Sequence, residues 1–241
     1  MRVPRIYTEQ VLVANSQLEL ESGPSQHLAR ALRMGPGDSL TLFDGRGGEY
    51  SALISSVSKK AVTVEVAGHT VLDMESPLRI ELGIAVSRGE RMDWVVQKAT
   101  ELGVACISPL FTERTEVKLK AERAEKKLRH WQQIAISACE QSGRNQLPTI
   151  ADFKALPNWL SAVEADRKFV LHHRSDDHPG GEAPSSVALL IGPEGGLSEA
   201  EIEAAMDAGF EAMRLGPRVL RTETAPLAAL SVLQSRWGDL A

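Results

Sequence analysis

The feature that most constrains the fold is a strand, a glycine loop and a helix start that follow one another near the C-terminus. Val187 to Ile191 is an uninterrupted apolar run, which is typical of a buried strand. Residues 192–196, Gly-Pro-Glu-Gly-Gly, predict a tight exposed loop, because glycine allows backbone angles and close approaches that a Cβ forbids. Ser198 and Glu201 have the spacing of a capping box, which starts a helix. Ligands of open α/β sheets bind at such strand ends, so the sequence predicts a binding site here.

A second glycine loop follows one unit later in the chain. Residues 212–215 are predicted as a short strand, Gly216 begins a loop, and the last helix opens near residue 222. On adjacent strands the two loops would face each other across one pocket. The alternative is that both are ordinary strand-to-helix turns. Four clustered polar residues of the second loop favour the pocket: Arg221, Thr222, Glu223 and Thr224.

The order of predicted elements divides the chain into a β-rich part and an α/β part. Several short strands and a small helix over residues 1–72 suggest a compact barrel. After a linker at residues 73–77, strands and helices alternate, which is typical of a mostly parallel sheet with helices on both faces. We therefore predict two domains, residues 1–72 and 73–241. The main predicted elements are a hairpin of residues 40–43 and 50–54, strands 78–86, 105–111 (broken at Pro109) and 167–172, and helices 88–102 and 118–141.

Basic residues of the first part form a candidate nucleic-acid surface. A short helix predicted between Ser25 and Met34 carries three of them at helical spacing on one face. Phosphate contacts explain these residues, and a solvated surface explains them equally well. The candidates are Arg2, Arg5, His27, Arg30, Arg33 and Arg46.

Composition bounds the function classes. The chain has 241 residues, 27 Lys and Arg against 32 Asp and Glu, and a formal charge of −5, so any nucleic-acid contact must rest on a local patch. No apolar run approaches the roughly 20 residues that span a bilayer, so no membrane partner is expected. The chain's 2 cysteines, Cys106 and Cys139, make no disulfide framework, which favours a reducing cytoplasm.

Other polar clusters receive structural interpretations. His172, His173 and His178 with two nearby aspartates match no zinc spacing, so we expect a solvated loop and no metal. Cys139 is interpreted as a small buried hydrophobe. The polar run at residues 140–145, and the charged groups Glu101 and Arg114 near predicted strand ends, are candidates for a site or for structural pairing.

Several motifs together resemble one known family. The two loops, residues 191–198 and 215–225, resemble the signature loops of the RsmE-type 16S ribosomal RNA uridine methyltransferases of the SPOUT superfamily. Supporting matches come in the same order along nearly the whole chain; they are residues 5–7, 27–33, 87–92, 97–103 and 138–144. The segment from about 152 to 186 matches weakly.

The resemblance implies a fold and an activity. The fold would be an N-terminal PUA-like β-barrel followed by an α/β SPOUT domain whose C-terminal part forms a deep trefoil knot. The methyl donor would be S-adenosylmethionine. The enzyme would act in the cytoplasm as a homodimer and methylate N3 of a uridine in the decoding region of 16S ribosomal RNA, free or in the small ribosomal subunit.

The resemblance also implies site residues. Backbone groups freed in glycine loops can hydrogen-bond adenine and ribose, and leucines can cover the apolar ring faces. The implied cofactor contacts are Leu171, His172, Gly192, Glu194, Gly195, Gly196, Leu215, Gly216, Leu220, Arg221 and Thr224.

Methylation at uracil N3 requires loss of the N3 proton. A base within hydrogen-bond reach, or a cation that stabilises the developing charge on the uracil oxygens, is therefore needed. Glu223 is the candidate base and Arg221 the candidate stabiliser, because both lie in the second loop. A flipped or unstacked uridine is expected, since a paired base is inaccessible. The alternatives are a non-catalytic RNA-binding or ribosome-assembly protein, and a SPOUT methyltransferase with another RNA target.

Overall fold

The structure, a computed structural model, describes residues 3–117, 120–172 and 181–240. Arg2 and the segment with His173 and His178 lie outside the described residues. By their contacts the residues form two compact units. The first contains Met1–Glu75 and Cys139–Leu147, and the second contains Ser76–Ala138 and Pro148–Ala241.

The first unit is built on a five-stranded sheet in the order β1-β3-β4-β5-β2. The predicted hairpin is confirmed, since β3 and β4 pair antiparallel with Leu40 opposite Ala52. Alternate residues of β5, namely Val62, Val64 and Val66, are buried in the core of this unit. Its elements are β1 (Arg5–Tyr7), β2 (Ser16–Glu19), α1 (Ser22–Gln26), β3 (Ser39–Phe43), β4 (Glu49–Val57) and β5 (Val62–Thr70).

The helix predicted between Ser25 and Met34 has a different form. After α1 the chain makes a π-helical turn, His27–Ala31, in which the Leu32 N–H donates to the His27 carbonyl at 3.0 Å. This wider turn accompanies complete burial of Leu28, whose exposed fraction is 0%. Arg33 follows the turn with a left-handed φ of 54°. The prediction that His27, Arg30 and Arg33 share one α-helical face is therefore wrong, because the i→i+5 repeat and the left-handed residue change their directions.

The second unit is an α/β structure on a parallel sheet, as predicted, with strand order β12-β10-β11-β6-β7-β8 and β9 paired to β7. Its strands are β6 (Arg79–Ala85), β7 (Cys106–Phe111), β8 (Thr149–Ile150), β9 (Lys154–Ala155), β10 (Arg167–Leu171), β11 (Ser186–Ile191) and β12 (Glu211–Met213). Its helices are α2 (Arg91–Glu101), α3 (Ala121–Ser142), α4 (Leu156–Ala162), α5 (Glu199–Asp207) and α6 (Ala225–Trp237). The last residues of α3 belong to the first unit.

The residues of β11 are apolar because they pack into core clusters. Leu189 and Ile191 pack into one core cluster, and Leu190 packs into a second cluster that contains Trp159 and Phe210. Because helices cover both faces of a parallel sheet, each residue of such a strand meets apolar neighbours, and no polar alternation remains.

Strand β7 is continuous, so the predicted break at Pro109 is wrong. Pro109 lies opposite Ile84 of β6. On its other side, the pairing with β8 ends at Ile107 and the pairing with β9 begins at Leu110. Proline therefore occupies the gap between two short edge strands, where its missing N–H removes no ladder hydrogen bond. Among the described helices, none combines the length and the apolar character needed to cross a bilayer.

Candidate functional site

Both glycine loops lie at the carboxyl edge of the parallel sheet. The first follows β11 and the second follows β12. The sequence predicted that these two strands are adjacent. This prediction is wrong, because β10 lies between them. The loops nevertheless line one cavity, and Leu171 and His172, at the carboxyl end of β10, line it as well.

The cavity has a volume of about 750 Å³. Its walls combine glycine backbone, leucine side chains and charged groups from several loops. Residues predicted as cofactor contacts that line it are Leu171, His172, Gly192, Glu194, Gly195, Gly196, Leu215, Gly216, Leu220 and Arg221. Thr224 is not among the lining residues; it is the N-cap residue of α6.

The first loop is fixed at its carboxyl end and by a turn within it. The predicted capping box is confirmed: the Glu201 N–H donates to Ser198 Oγ at 3.3 Å, and the Ser198 N–H donates to Glu201 Oε2 at 2.9 Å. Inside the loop the Gly196 N–H donates to the Pro193 carbonyl at 2.8 Å. A Cβ on Gly192 would stand 2.9 Å from the backbone nitrogen of Leu197, so this position requires glycine.

The second loop turns directly into α6. The Arg221 carbonyl accepts from the N–H groups of Thr224 and Ala225, both at 2.9 Å, and so begins the helix. Gly216 has a φ of 76°, and its carbonyl accepts from Arg214 Nε at 3.1 Å. The Arg221 side chain is exposed and the Glu223 side chain is half-buried, and both line the cavity.

Arg91, which was not among the site residues predicted from the sequence, connects the two loops. Its Nη1 donates to Glu194 Oε1 of the first loop at 2.5 Å. Its Nε lies 3.8 Å from Glu223 Oε2 of the second loop. Arg91 begins α2, just after the carboxyl end of β6, so its position at the ligand edge of the sheet was available as a signal.

The loop after β7 braces the first glycine loop from the same edge. Arg114 Nη1 donates to the carbonyls of Gly195 at 2.8 Å and Leu197 at 3.4 Å. The Glu113 N–H donates to Glu201 Oε1 at 2.7 Å, which adds a contact to the capping box. Arg114 therefore acts on the shape of the loop through its backbone.

The carboxyl of Glu194 is held in its charged form. Partial burial would raise its pKa, but hydrogen bonds from its own N–H, the Arg91 side chain and the Arg88 N–H together outweigh burial. The pKa of Glu194 consequently lies below its ordinary value.

The structure separates the candidate RNA contacts. The Arg5 side chain is only 10% exposed and pairs with Glu49. It also donates to the carbonyls of Gly143 at 3.1 Å and Arg144 at 3.3 Å. Its guanidinium is engaged by partners within the first unit, which favours a structural role for Arg5. The other described candidates are exposed; they are His27, Arg30, Arg33 and Arg46.

A second cavity of about 400 Å³ lies in the first unit, between the π-helical turn and the β4–β5 turn. Arg30 lines it together with Lys59 and Lys60. Neither lysine was predicted from the sequence, because each gains a basic partner only when the two turns meet.

The polar run at residues 140–145 is engaged in structural pairing within the first unit. Glu140 Oε1 accepts from the Tyr7 N–H at 3.0 Å. Arg144 pairs with Glu75, and Asn145 Nδ2 donates to the Leu72 carbonyl at 3.1 Å. Within the described ranges, no group of three or more His, Cys, Asp or Glu is placed to hold a metal ion.

Comparison with known sequences gives two family matches. Residues 74–234 match the RNA methyltransferase domain, and residues 25–67 match the RNA methyltransferase PUA domain. The chain is 36% identical to ribosomal RNA small subunit methyltransferase E of Buchnera aphidicola subsp. Schizaphis graminum, over 99% of this chain and 98% of the relative. It is 35% identical to the protein of the same name in Bacillus subtilis, over 86% and 85% of the two chains.

Two solved structures are similar over 100% of both chains. A protein of Legionella pneumophila described as a methyltransferase, in complex with the bound cofactor SAM, is 45% identical with a TM-score of 0.97. Ribosomal RNA small subunit methyltransferase E of Neisseria gonorrhoeae, bound to S-adenosyl methionine, is 38% identical with a TM-score of 0.89. With two glycine loops around one cavity and these full-length similarities, the chain belongs to the ribosomal RNA small subunit methyltransferase E (RsmE) family.

Proposed function

We propose that this protein is an S-adenosylmethionine-dependent methyltransferase of small-subunit ribosomal RNA, acting on N3 of a uridine in the decoding region. The observation that carries the proposal is the two-loop cavity, in a chain that aligns over its full length with two structures containing the cofactor. The uridine, its N3 atom and the decoding region come from the family resemblance. The buried free cysteines are consistent with a cytoplasmic site of action.

The residues of the cavity fit this cofactor. Its volume of about 750 Å³ is within the range of small-molecule sites, and its walls combine apolar side chains with backbone polar groups. We assign the adenosine and methionine contacts to Leu171 and His172 at the end of β10, and to the two glycine loops. Thr224 lies outside the lining, at the N-cap of α6, and is proposed from the family resemblance.

In the proposed mechanism the protein positions the methyl donor and the uridine and accepts the N3 proton of the uracil. S-adenosylmethionine, when bound, would supply a methyl group on a sulfonium; the deprotonated uracil N3 would bond to the methyl carbon as the S–CH3 bond breaks, and S-adenosylhomocysteine would leave as a neutral thioether. Glu223 would accept the uracil N3 proton, and Arg221 would stabilise the negative charge that develops on the uracil oxygens. Both side chains line the cavity, as these roles require. Wild-type turnover in both Glu223→Gln and Arg221→Ala, with normal cofactor binding, would contradict the assignment.

We also propose the finer features of the fold that the resemblance implies. The parallel strand order β12-β10-β11-β6-β7-β8 of the second unit is compatible with a SPOUT domain whose C-terminal part forms a trefoil knot. The five-stranded sheet of the first unit is compatible with a PUA-like barrel. A homodimer, and the assignment of residues 1–72 to RNA binding and 73–241 to methyl transfer, belong to the same proposal.

Calorimetric titration with S-adenosylmethionine tests the cofactor site. A Cβ on Gly195 would lie 3.4 Å from Arg114 Cδ, an ordinary contact, so valine fits the fold but adds bulk at the cavity wall. We expect saturable binding by the wild type and at least about a tenfold loss of affinity in Gly195→Val, because the added methyl groups occupy ligand space.

Gly68→Val is the matched control. Gly68 lies in β5 of the first unit, where a Cβ would meet Ser51 Oγ at 3.6 Å. This variant should bind the cofactor like the wild type. Absence of binding to the wild-type protein, with and without ribosomal RNA, would instead favour a non-catalytic assembly protein.

A further inference from the structure

Two carboxylates from different loops converge on one guanidinium at the wall of the cofactor cavity. Arg91 contacts Glu194 of the first loop and Glu223 of the second. Among the described residues, the ion pairs of both carboxylates share Arg91 as the cation. All three residues line the cavity.

We propose that Arg91 is a positioning residue that fixes the two loops relative to each other and holds Glu223 in the orientation that methyl transfer requires. The inference rests on the proposed function for its catalytic part. Its structural part, the tie between the loops, stands on the distances alone.

The planar guanidinium suits this task. Arginine presents several N–H donors in a rigid fork, so one side chain can engage two acceptors that approach from different directions. The Nη1 end faces Glu194, and the Nε edge faces Glu223. A lysine at this position would offer a single ammonium on a flexible chain and could not hold both loops in the same way.

Without Arg91, two negative side chains would share one wall of the cavity with no cation between them. Like charges at short range repel, so the second loop would gain freedom to move away from the first. The Arg221 carbonyl holds the carboxyl end of the second loop at the start of α6, whereas the first loop has its capping box and Arg114. Removal of Arg91 should therefore increase the mobility of the second loop more than that of the first.

Other charged or titratable residues line the same cavity. Those that line it are Arg114, His172, Glu199, Arg218 and Arg221. Arg114 donates to backbone carbonyls of the first loop, so it cannot replace the tie to the second loop. Arg218 and Arg221 are exposed members of the second loop itself and would move with it.

The tie should matter more for activity than for global stability. The side chains of Arg91, Glu194 and Glu223 are 40%, 38% and 26% exposed. Ion pairs at this exposure contribute little to the free energy of unfolding, because solvent screens them. A displacement of a reacting group by about 1 Å, in contrast, can slow catalysis by about 100-fold.

Amide hydrogen exchange of the protein without cofactor tests the tie directly. We expect Arg91→Ala to speed exchange at residues 215–223 by about threefold or more, with a smaller change at residues 192–197 and an almost unchanged melting temperature. Arg88→Ala is the matched control, since its side chain pairs with Glu116 at 2.8 Å and does not line the cavity, and alanine keeps the backbone N–H that donates to Glu194. Wild-type exchange in Arg91→Ala would overturn the tie, whatever the activity.

Single-turnover methylation of small-subunit RNA at saturating cofactor tests the positioning role. We expect Arg91→Ala to slow the methyl-transfer step by about 10- to 100-fold, while cofactor affinity falls less. Arg91→Lys should recover only part of the rate. In the background of Glu223→Gln, removal of Arg91 should cause no further loss, because both changes act through the same carboxyl.

Independent, multiplicative losses in that double variant would overturn the role through Glu223. A wild-type rate in Arg91→Ala beside an active wild-type enzyme would do the same. A wild-type protein that neither binds the cofactor nor methylates RNA would instead refute the proposed function, and the exchange measurement would still decide whether Arg91 ties the loops.

Discussion

The guanidinium of Arg5 is enclosed by protein groups rather than offered to a ligand. Besides its pairing with Glu49, it lies 5.0 Å from the centre of the Phe43 ring. A charged group this buried must be paired, because desolvation without partners is very unfavourable. Arg30 has the same charge but lies at the surface beside Lys59 and Lys60. Residue type alone therefore cannot separate a structural arginine from a ligand contact.

Glu140 gives a prediction for the pH dependence of stability. Burial raises its pKa, against smaller lowering effects of the Tyr7 N–H, His27 and Arg5. Because the folded-state pKa lies above the unfolded value, the contribution of protonated Glu140 to stability is complete below about pH 4.5 and is lost as pH rises through the folded pKa. Glutamine keeps the acceptor for the Tyr7 N–H but stays neutral.

We therefore expect Glu140→Gln to gain free energy of unfolding relative to the wild type as pH rises from 4.5 to neutrality. Urea unfolding at several pH values measures the difference. Parallel stability curves for the two proteins across this range would contradict the prediction.

At the scale of elements, the start of α5 controls the geometry of the first glycine loop. The capping box satisfies two N–H groups that the helix cannot pair internally, and the Glu113 N–H adds a third contact to Glu201. Since α5 follows the loop at once, any fraying of the helix start transmits to residues 192–197. The capping box, which is a local feature of the sequence, therefore affects the position of the residues that line the cavity.

Ser198→Ala should lower the free energy of unfolding by about 0.5–2 kcal/mol, because alanine cannot accept from the Glu201 N–H. It should also weaken S-adenosylmethionine binding if the cofactor uses the loop as proposed. Denaturant unfolding and calorimetry measure the two effects. The control is Ser231→Ala, since Ser231 Oγ donates to the Leu227 carbonyl within α6. This substitution should change the free energy of unfolding by only about a few tenths of the effect of Ser198→Ala.

At the scale of the whole molecule, the charge of −5 is unfavourable for nucleic acid, so RNA contact must depend on local cations. The described candidates with exposed side chains concentrate in the first unit, and Arg30, Lys59 and Lys60 surround one cavity there. We propose these three, with His27, Arg33 and Arg46, as the phosphate contacts.

Removing Arg30, Lys59 and Lys60 one at a time should weaken RNA binding. Each substitution should reduce the slope of log affinity against log salt by about 0.7–1, because one fewer phosphate is neutralised. Fluorescence anisotropy with a decoding-region RNA at several salt concentrations measures this slope.

Lys126→Ala is the control for the salt series, because Lys126 is already paired with Glu122 at 2.8 Å. Unchanged slopes in all three variants would show that Arg30, Lys59 and Lys60 do not contact the phosphates of the RNA. Arg5→Ala should instead lower stability, since it leaves Glu49 without its partner.

Local signals in the sequence determined much of the second unit. The apolar run of β11, the alternation of strands and helices, and the capping box each depend on residues close together in the chain, and each is present in the structure. The glycines that line the cavity were accessible for the same reason, because a tight turn between a strand and a helix is a local requirement. The resemblance of the loop motifs to a known family added the prediction of a cofactor and a reaction.

Tertiary structure alone decided which distant residues meet. Arg91 and Glu194 are 103 positions apart, and Arg5 meets Asn145 across 140 positions. Strand β10 separates the two loop-bearing strands, and residues 139–147 return to the first unit, although no composition change marks either event. The physical reason is that propensity and hydrophobic period report the environment of a residue, but not the identity of its neighbours. Pairing of charges across the sheet edge is fixed only when packing brings the carboxyl ends of the strands together.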